Sequence, residues 1–181
     1  ISKKKQYFYI ETYGCQMNLA DSSTLVATML TRGYRRVPEE KDADLIVLNT
    51  CSVREKAEER VLGRLGELYK FKRHRPELKI AVVGCMAQRL AEELRDRVPH
   101  VDYVLGTDRL FELPDVIEGR EGTSEVMTAF GHESIDRIHP VKENPFSGFV
   151  TISRGCDNYC SYCIVPFVRG QEHCHSISHI L

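Results

Sequence analysis

Cys156, Cys160 and Cys163 form a Cys-x-x-x-Cys-x-x-Cys run inside Arg154-Gly155-Cys156-Asp157-Asn158-Tyr159-Cys160-Ser161-Tyr162-Cys163. One short loop thus offers three thiolates and no fourth. Four thiolates close off an iron–sulfur cluster, so three leave one iron open to a substrate or cofactor. Zinc and redox chemistry are the competing uses of such residues. A structural zinc site needs further donors, for which His173, Cys174 and His175 are near in sequence. Cys160-Ser161-Tyr162-Cys163 alone has the form of a thioredoxin-like pair, but that motif belongs near the first strand of its fold. Here it follows a long polar stretch.

Three further cysteines recur at matching places. Cys51 lies 36 residues after Cys15, and Cys85 lies 34 residues after Cys51. A strand–helix–strand unit takes roughly 30 or more residues, so each cysteine falls just past the carboxyl end of a successive strand. In open α/β sheets ligands bind at that edge. A single free cysteine is often only a small buried hydrophobe. Three at equivalent strand ends, flanked by Gly14, Asn18, Asn49, Thr50, Ser52 and Gly84, point to a second ligand set.

The elements that must position these thiols are legible. Gln6–Thr12 is aromatic and β-branched and reads as a strand running through Tyr13-Gly14 into Cys15. Leu25, Val26, Met29 and Leu30 then recur at helical spacing, stopped by Gly33. Asp44–Thr50 is a nearly continuous apolar strand ending at Cys51, followed by a helix with Ala57, Val61, Leu62, Leu65, Leu68 and Tyr69 on one face. Leu78–Gly84 is a strand ending at Cys85, and a helix over Ala87–Val98 follows. Tyr103–Leu105 and a helical piece near Leu110–Ile117 complete the pattern. Apolar strands alternating with helices predict an α/β fold: a parallel sheet covered by helices on both faces.

Residues 119–147 are polar, punctuated by Gly119, Gly122, Gly131, Pro140 and Pro145, and read as a linker. Phe149–Ser153 reads as a new strand delivering the Cys156–Cys163 loop. The expected division is an α/β domain over 1–118, a linker over 119–147 and the start of another domain over 148–181.

With 42% hydrophobic and 28% charged residues, the chain can build a core without disulfide staples. Its net charge of −1 gives no global basic field, so any nucleic-acid contact must come from local patches. Lys70, Lys72, Arg73 and Arg75 make the one concentrated basic run, readable as a solvated helix end or as a phosphate contact. Seven cysteines, an odd number, with no apolar leader after Lys3-Lys4-Lys5, predict a reducing cytoplasmic setting and no membrane span. Tyr159 and Tyr162 are placed to pack a cofactor ring or to wall the loop from water. His173-Cys174-His175 reads as a tail.

Taken together, Thr12-Tyr13-Gly14-Cys15-Gln16-Met17-Asn18, Asn49-Thr50-Cys51-Ser52-Val53-Arg54-Glu55-Lys56-Ala57, Val83-Gly84-Cys85-Met86-Ala87 and Arg154 through Phe167 resemble, in order, the hallmark segments of the radical S-adenosylmethionine methylthiotransferases. The segments around Cys15 and Cys51 are similar to the branch that acts on dimethylallyladenosine in tRNA. Related branches act on threonylcarbamoyladenosine in tRNA or on a ribosomal-protein aspartate.

The resemblance implies two [4Fe-4S] clusters, one on Cys156, Cys160 and Cys163 and one on Cys15, Cys51 and Cys85. It also implies S-adenosylmethionine bound beside Tyr162, and radical insertion of a methylthio group at C2 of an isopentenylated adenosine next to the anticodon. The implied partners are tRNA and a reductant protein such as flavodoxin or ferredoxin, with a monomeric chain. It further implies that 148–181 is the first strand and cluster loop of a truncated radical barrel, so that this polypeptide alone is inactive. One departure stands out: a basic run is usual after Gly170, and here the chain reads Gln171-Glu172-His173-Cys174-His175. Outside this family, an iron–sulfur electron-transfer or sulfur-carrier module and a zinc-stabilised interaction domain are the competing readings.

Overall fold

The structure is a computed structural model and describes residues 6–53, 55–131, 146 and 148–180. Among these, six parallel strands form one sheet: β1 (Tyr7–Thr12), β2 (Arg35–Arg36), β3 (Leu45–Thr50), β4 (Lys79–Gly84), β5 (Tyr103–Leu105) and β6 (Val126–Met127), in the order β2-β1-β3-β4-β5-β6. Helices α1 (Gln16–Thr31), α2 (Glu55–His74), α3 (Cys85–Leu90), α4 (Glu92–Arg97) and α5 (Leu113–Ile117) connect them.

Alternation along the strands feeds two cores, one per face. Phe8, Ile10, Leu45, Val47, Ala81, Val83 and Leu105 pack against Leu25 and Met29 of α1 and Val116 of α5. Ile46, Leu48, Ile80, Val82 and Val104 pack against Val61, Leu65 and Leu68 of α2 and Met86 and Leu94 of α3 and α4. Every residue of β3 is buried, as a central parallel strand requires. The predicted parallel sheet with helices on both faces is therefore the observed one.

The structure departs from expectation in four places. The helix expected over Ala87–Val98 breaks at Ala91, which takes a positive φ of 44° and separates α3 from α4. Val126–Met127, inside the segment read as linker, pairs with β5 and extends the sheet. Two residues are too few to show a period, which is why the pattern hides this strand. Residues 132–145 and 147 of that segment lie outside the described residues. The strand expected over Phe149–Ser153 is confined to β7 (Ser153–Arg154), with one further backbone bond from His175 N–H to the Ile152 carbonyl at 2.9 Å. The partner of β7 is β8 (His173–Cys174), so the expected tail is an antiparallel strand.

Helix α6 (Val165–Arg169) stands between β7 and β8, and α7 (Ile177–Ile180) follows. No helix among the described residues is long and apolar enough to cross a membrane.

Candidate metal centre

Parallel strands send all their carboxyl ends to one edge, and three neighbouring strands there carry the predicted thiols. Cys15 follows β1, Cys51 directly follows β3, and Cys85 directly follows β4. Thr50 pairs with Gly84, so Cys51 and Cys85 leave adjacent strands at the same level. Such strands lie about 4.8 Å apart. The chain turns outward in both directions from β1, to β2 on one side and β3 on the other, so the crevice of this sheet opens between Cys15 and Cys51.

A buried polar network fixes this edge. Cys15 caps α1, and its backbone N–H donates to Asn18 Oδ1 at 3.3 Å. Asn18 Nδ2 donates to Asn49 Oδ1 at 3.1 Å and to the Thr50 carbonyl at 3.0 Å. Asn49 Nδ2 donates to Ser22 Oγ at 2.9 Å. Close backbone approach is required at Gly14 and Gly84. A Cβ on Gly14, whose φ is +138°, would stand 2.6 Å from Cys51 Cβ. A Cβ on Gly84, whose φ is +93°, would stand 2.5 Å from Asn49 Oδ1. The flanking residues singled out in the sequence thus act as a frame. Ser52 belongs to its outer rim, where it accepts from Arg89 Nε at 2.8 Å.

The second thiol set is rooted at the same edge. The β7–β8 ladder closes the base of the Cys156–Cys163 loop, with Cys156 N–H donating to the Gly170 carbonyl at 3.2 Å. Gly155 has a φ of +74°, and a Cβ there would meet the Gln171 carbonyl oxygen at 1.9 Å, so no side chain fits. Arg154 Nη1 donates to Asp21 Oδ1 at 2.7 Å, and Arg154 Nη2 donates to the Thr107 carbonyl at 3.2 Å. Arg169 Nη1 lies 2.9 Å from Asp21 Oδ2. These three side chains are 2–4% exposed. Thr107 Oγ1 donates to the Val168 carbonyl at 2.8 Å, seating α6 beside α3.

Exposure varies within both sets. Cys51 and Cys85 are buried and Cys15 is exposed, while Cys160 is exposed and Cys156 and Cys163 are half-buried. Burial pushes the Cys85 thiol up, opposed by the Arg169 guanidinium beside it. Burial also works against the Arg169 charge, but Asp21 and Cys85 outweigh it and hold the guanidinium protonated. Tyr162 is 90% exposed, and Tyr159, at a φ of 46°, meets Phe167 edge-on with ring centroids 6.1 Å apart.

As they stand, no three Cys, His, Asp or Glu side chains among the described residues are gathered closely enough to hold a metal ion. The edge nonetheless fits a thiolate-bound cluster in its chemistry. The donors are sulfur only, as iron–sulfur ligation asks. Two buried guanidiniums face one buried carboxylate, leaving an excess positive charge that touches Cys85. A buried unbalanced charge is costly, and an anionic thiolate or cluster at Cys85 would balance it. The positive end of α1 points the same way.

The basic run lies elsewhere. Lys70–His74 ends α2 and Arg75 follows it, about 20–30 Å along the 20-residue helix from the cysteine edge. Lys72 donates to Asp102 and to the His100 carbonyl, and Arg75 to the Lys41 carbonyl, leaving Lys70 and Arg73 exposed.

Sequence reasoning missed Asp21 and Arg169 and quoted Arg154 only as part of a motif. The signal for Asp21 was present: it stands one and two helical repeats before Leu25 and Met29, on the stripe that is buried.

Fold and edge define a parallel α/β protein with cysteines at the carboxyl ends of three adjacent strands. The chain belongs to the family described as Uncharacterized protein family UPF0004, whose model matches residues 7–106. It is 46% identical over 168 residues to a protein of Dictyoglomus thermophilum named tRNA-2-methylthio-N(6)-dimethylallyladenosine synthase, covering 91% of this chain and 38% of that protein. It is 46% identical to the protein of that name from Carboxydothermus hydrogenoformans and 40% identical to that from Hydrogenobaculum sp.. Each of these matches covers 96% of this chain and 41% of the relative. The chain thus spans about two fifths of the length of these curated relatives. The resemblance to methylthiotransferases read from the cysteine segments is borne out by these relatives.

Proposed function

We propose that a protein carrying this chain is a tRNA methylthiotransferase, adding a methylthio group to C2 of a dimethylallyladenosine beside the anticodon. One observation carries the reading. Thiols at three adjacent strand ends stand at the edge to which a separate three-cysteine loop is anchored by buried ion pairs. The names of the similar proteins support the substrate.

In this reading Cys15, Cys51 and Cys85 hold one [4Fe-4S] cluster and Cys156, Cys160 and Cys163 another, with residues 148–181 opening a second domain. When bound, the clusters and S-adenosylmethionine supply a radical able to activate an adenine carbon, and the sulfur and methyl group to be placed there. The chain's own residues do the rest. Gly14 and Gly84 admit the close backbone that brings the strand ends together, and Asn18 and Asn49 fix it. Arg154 and Arg169 lend positive charge to an edge that would carry anionic sulfur. Tyr162 offers an exposed ring for the cofactor's adenine. The adenosine target lies in a single-stranded loop, where a base can be splayed out. A reductant protein such as flavodoxin or ferredoxin, a cytoplasmic setting and a monomeric state belong to the same proposal.

Anaerobic reconstitution with iron and sulfide tests it. About eight iron atoms per chain are expected, falling to about four when Cys15, Cys51 and Cys85 are replaced by Ala. Tight zinc binding without charge-transfer absorbance overturns the reading. The substrate is tested by complementing a deletion strain with the full-length gene and assaying its tRNA for the methylthio group.

A further inference from the structure

Asp21 grips both roots of the Cys156–Cys163 loop. Arg154 precedes the loop on β7 and Arg169 follows it at the end of α6, and each reaches a different oxygen of the same carboxylate. Asp21 also stands on α1, the helix that Cys15 caps. A single side chain thereby joins the helix bearing one thiol set to the two ends of the segment bearing the other. Stability does not account for this arrangement, because a buried ion pair is on balance no better than well-packed apolar residues. Its geometry does account for it: a directed hydrogen bond from Arg154 to Asp21 Oδ1 and an ion pair from Arg169 to Oδ2 together admit few alternative seats. Thr107 and Phe111 narrow the choice further, the first accepting from Arg154 Nη2 and the second placing its ring 6.0 Å beneath the guanidinium.

We propose that Asp21 is a positioning residue that, through Arg154 and Arg169, fixes where the Cys156–Cys163 loop sits relative to the strand-end cysteines. The proposal rests on the reading that both thiol sets hold clusters, and its test separates the two.

The first arm uses the cluster-free full chain and hydrogen exchange. Asp21→Asn should speed exchange of the amides in 153–154 and 164–170 by roughly tenfold or more, leaving β1, β3 and β4 unchanged. Unchanged protection of that segment overturns the proposal. Should Asp21→Asn loosen the sheet as well, Arg154→Lys decides, since it keeps the charge and loses the fork. Faster exchange confined to 153–170 supports the proposal, and parental protection overturns it. The second arm uses reconstituted protein and reads the magnetic interaction between the two reduced clusters by electron paramagnetic resonance. Asp21→Asn should keep the parental iron content and alter the interaction. An unaltered interaction overturns the proposal. A parent chain that takes up no iron defeats the cluster reading and leaves the exchange arm to decide the seating role.

Discussion

Asn18 and Asn49 hold each other in both directions: Asn18 Nδ2 donates to Asn49 Oδ1 at 3.1 Å, and Asn49 Nδ2 donates to the Asn18 carbonyl at 2.9 Å. Both residues are fully buried. The pair locks the first turn of α1 to the end of β3, and so Cys15 to Cys51. Asn49→Ala removes one of two partners from Asn18 Nδ2, which keeps the Thr50 carbonyl, and one of two from Ser22 Oγ, which keeps Thr12 Oγ1, and it leaves a void where the amide stood. The expected loss is about 1–3 kcal/mol, read by urea unfolding of the cluster-free chain. A loss below about 0.5 kcal/mol would contradict the role given to this pair.

Gly84→Ala should be as damaging although it adds one methyl group. The new Cβ would lie 2.5 Å from Asn49 Oδ1 and 2.7 Å from the Thr50 carbonyl oxygen, at a φ of +93° that suits only glycine. Backbone cannot yield as a flexible side chain can, so about 2 kcal/mol or more is expected from strain and overpacking together. Gly63→Ala is the control: nothing lies within 4 Å of its added Cβ, and it stands within α2. It should stabilise by about 0.5–1 kcal/mol. Melting temperatures of the two variants should therefore move in opposite directions.

Cys85 and Cys160 should differ in what they contribute to the cluster-free fold. Cys160 is exposed, so Cys160→Ala should leave stability within about 0.5 kcal/mol of the parent. Cys85 is buried, so Cys85→Ala opens a small void and costs about 1 kcal/mol. Each change should bring reconstituted iron toward the single-cluster value of about four. Parental iron content in either variant removes that cysteine from the ligand set.

Acid should weaken the sheet through Asp102. Burial pushes its carboxyl up, but hydrogen bonds from Lys72 and Lys79 and from the Ile80 N–H outweigh burial and hold it below the usual carboxylate range. A group depressed in the folded state contributes stability above its unfolded pKa, about 4, and that stability is lost as pH falls below this. The parent should therefore lose stability more steeply below about pH 4 than Asp102→Asn does. At neutral pH the substitution should cost about 1–3 kcal/mol. Iron content should not change, because Asp102 precedes β5 and so lies at the opposite edge from the cysteines. Equal acid slopes would show that Asp102 contributes nothing to the pH dependence.

The long-period features were legible in the sequence because they rest on repetition. Apolar runs at Leu45–Leu48 and Ile80–Val83 marked central strands, and cysteine intervals near one strand–helix unit placed the thiols at one edge. What escaped rests on single contacts between distant residues. Ala91 breaks a helix without a Gly or Pro to announce it. β6 and β8 are two residues each and exist only because a partner strand lies beside them. Nothing in the sequence near Arg154 or Arg169 announces Asp21, which only the fold brings to them. The basic run illustrates the converse: its composition was plain, but only the length and direction of α2 put it far from the cysteines.

The 133-residue separation between Asp21 and Arg154 also bears on the assembly of the molecule. Contacts so remote in sequence close a large loop, and their entropy cost is recovered only once both surfaces exist. Asp21 keeps its water until the guanidiniums arrive, so any state in which the 153–170 segment is unseated leaves that carboxylate hydrated. In such a state Cys85 stands free of Arg169. Iron and sulfide supplied to that state would therefore meet Cys15, Cys51 and Cys85 on an open edge.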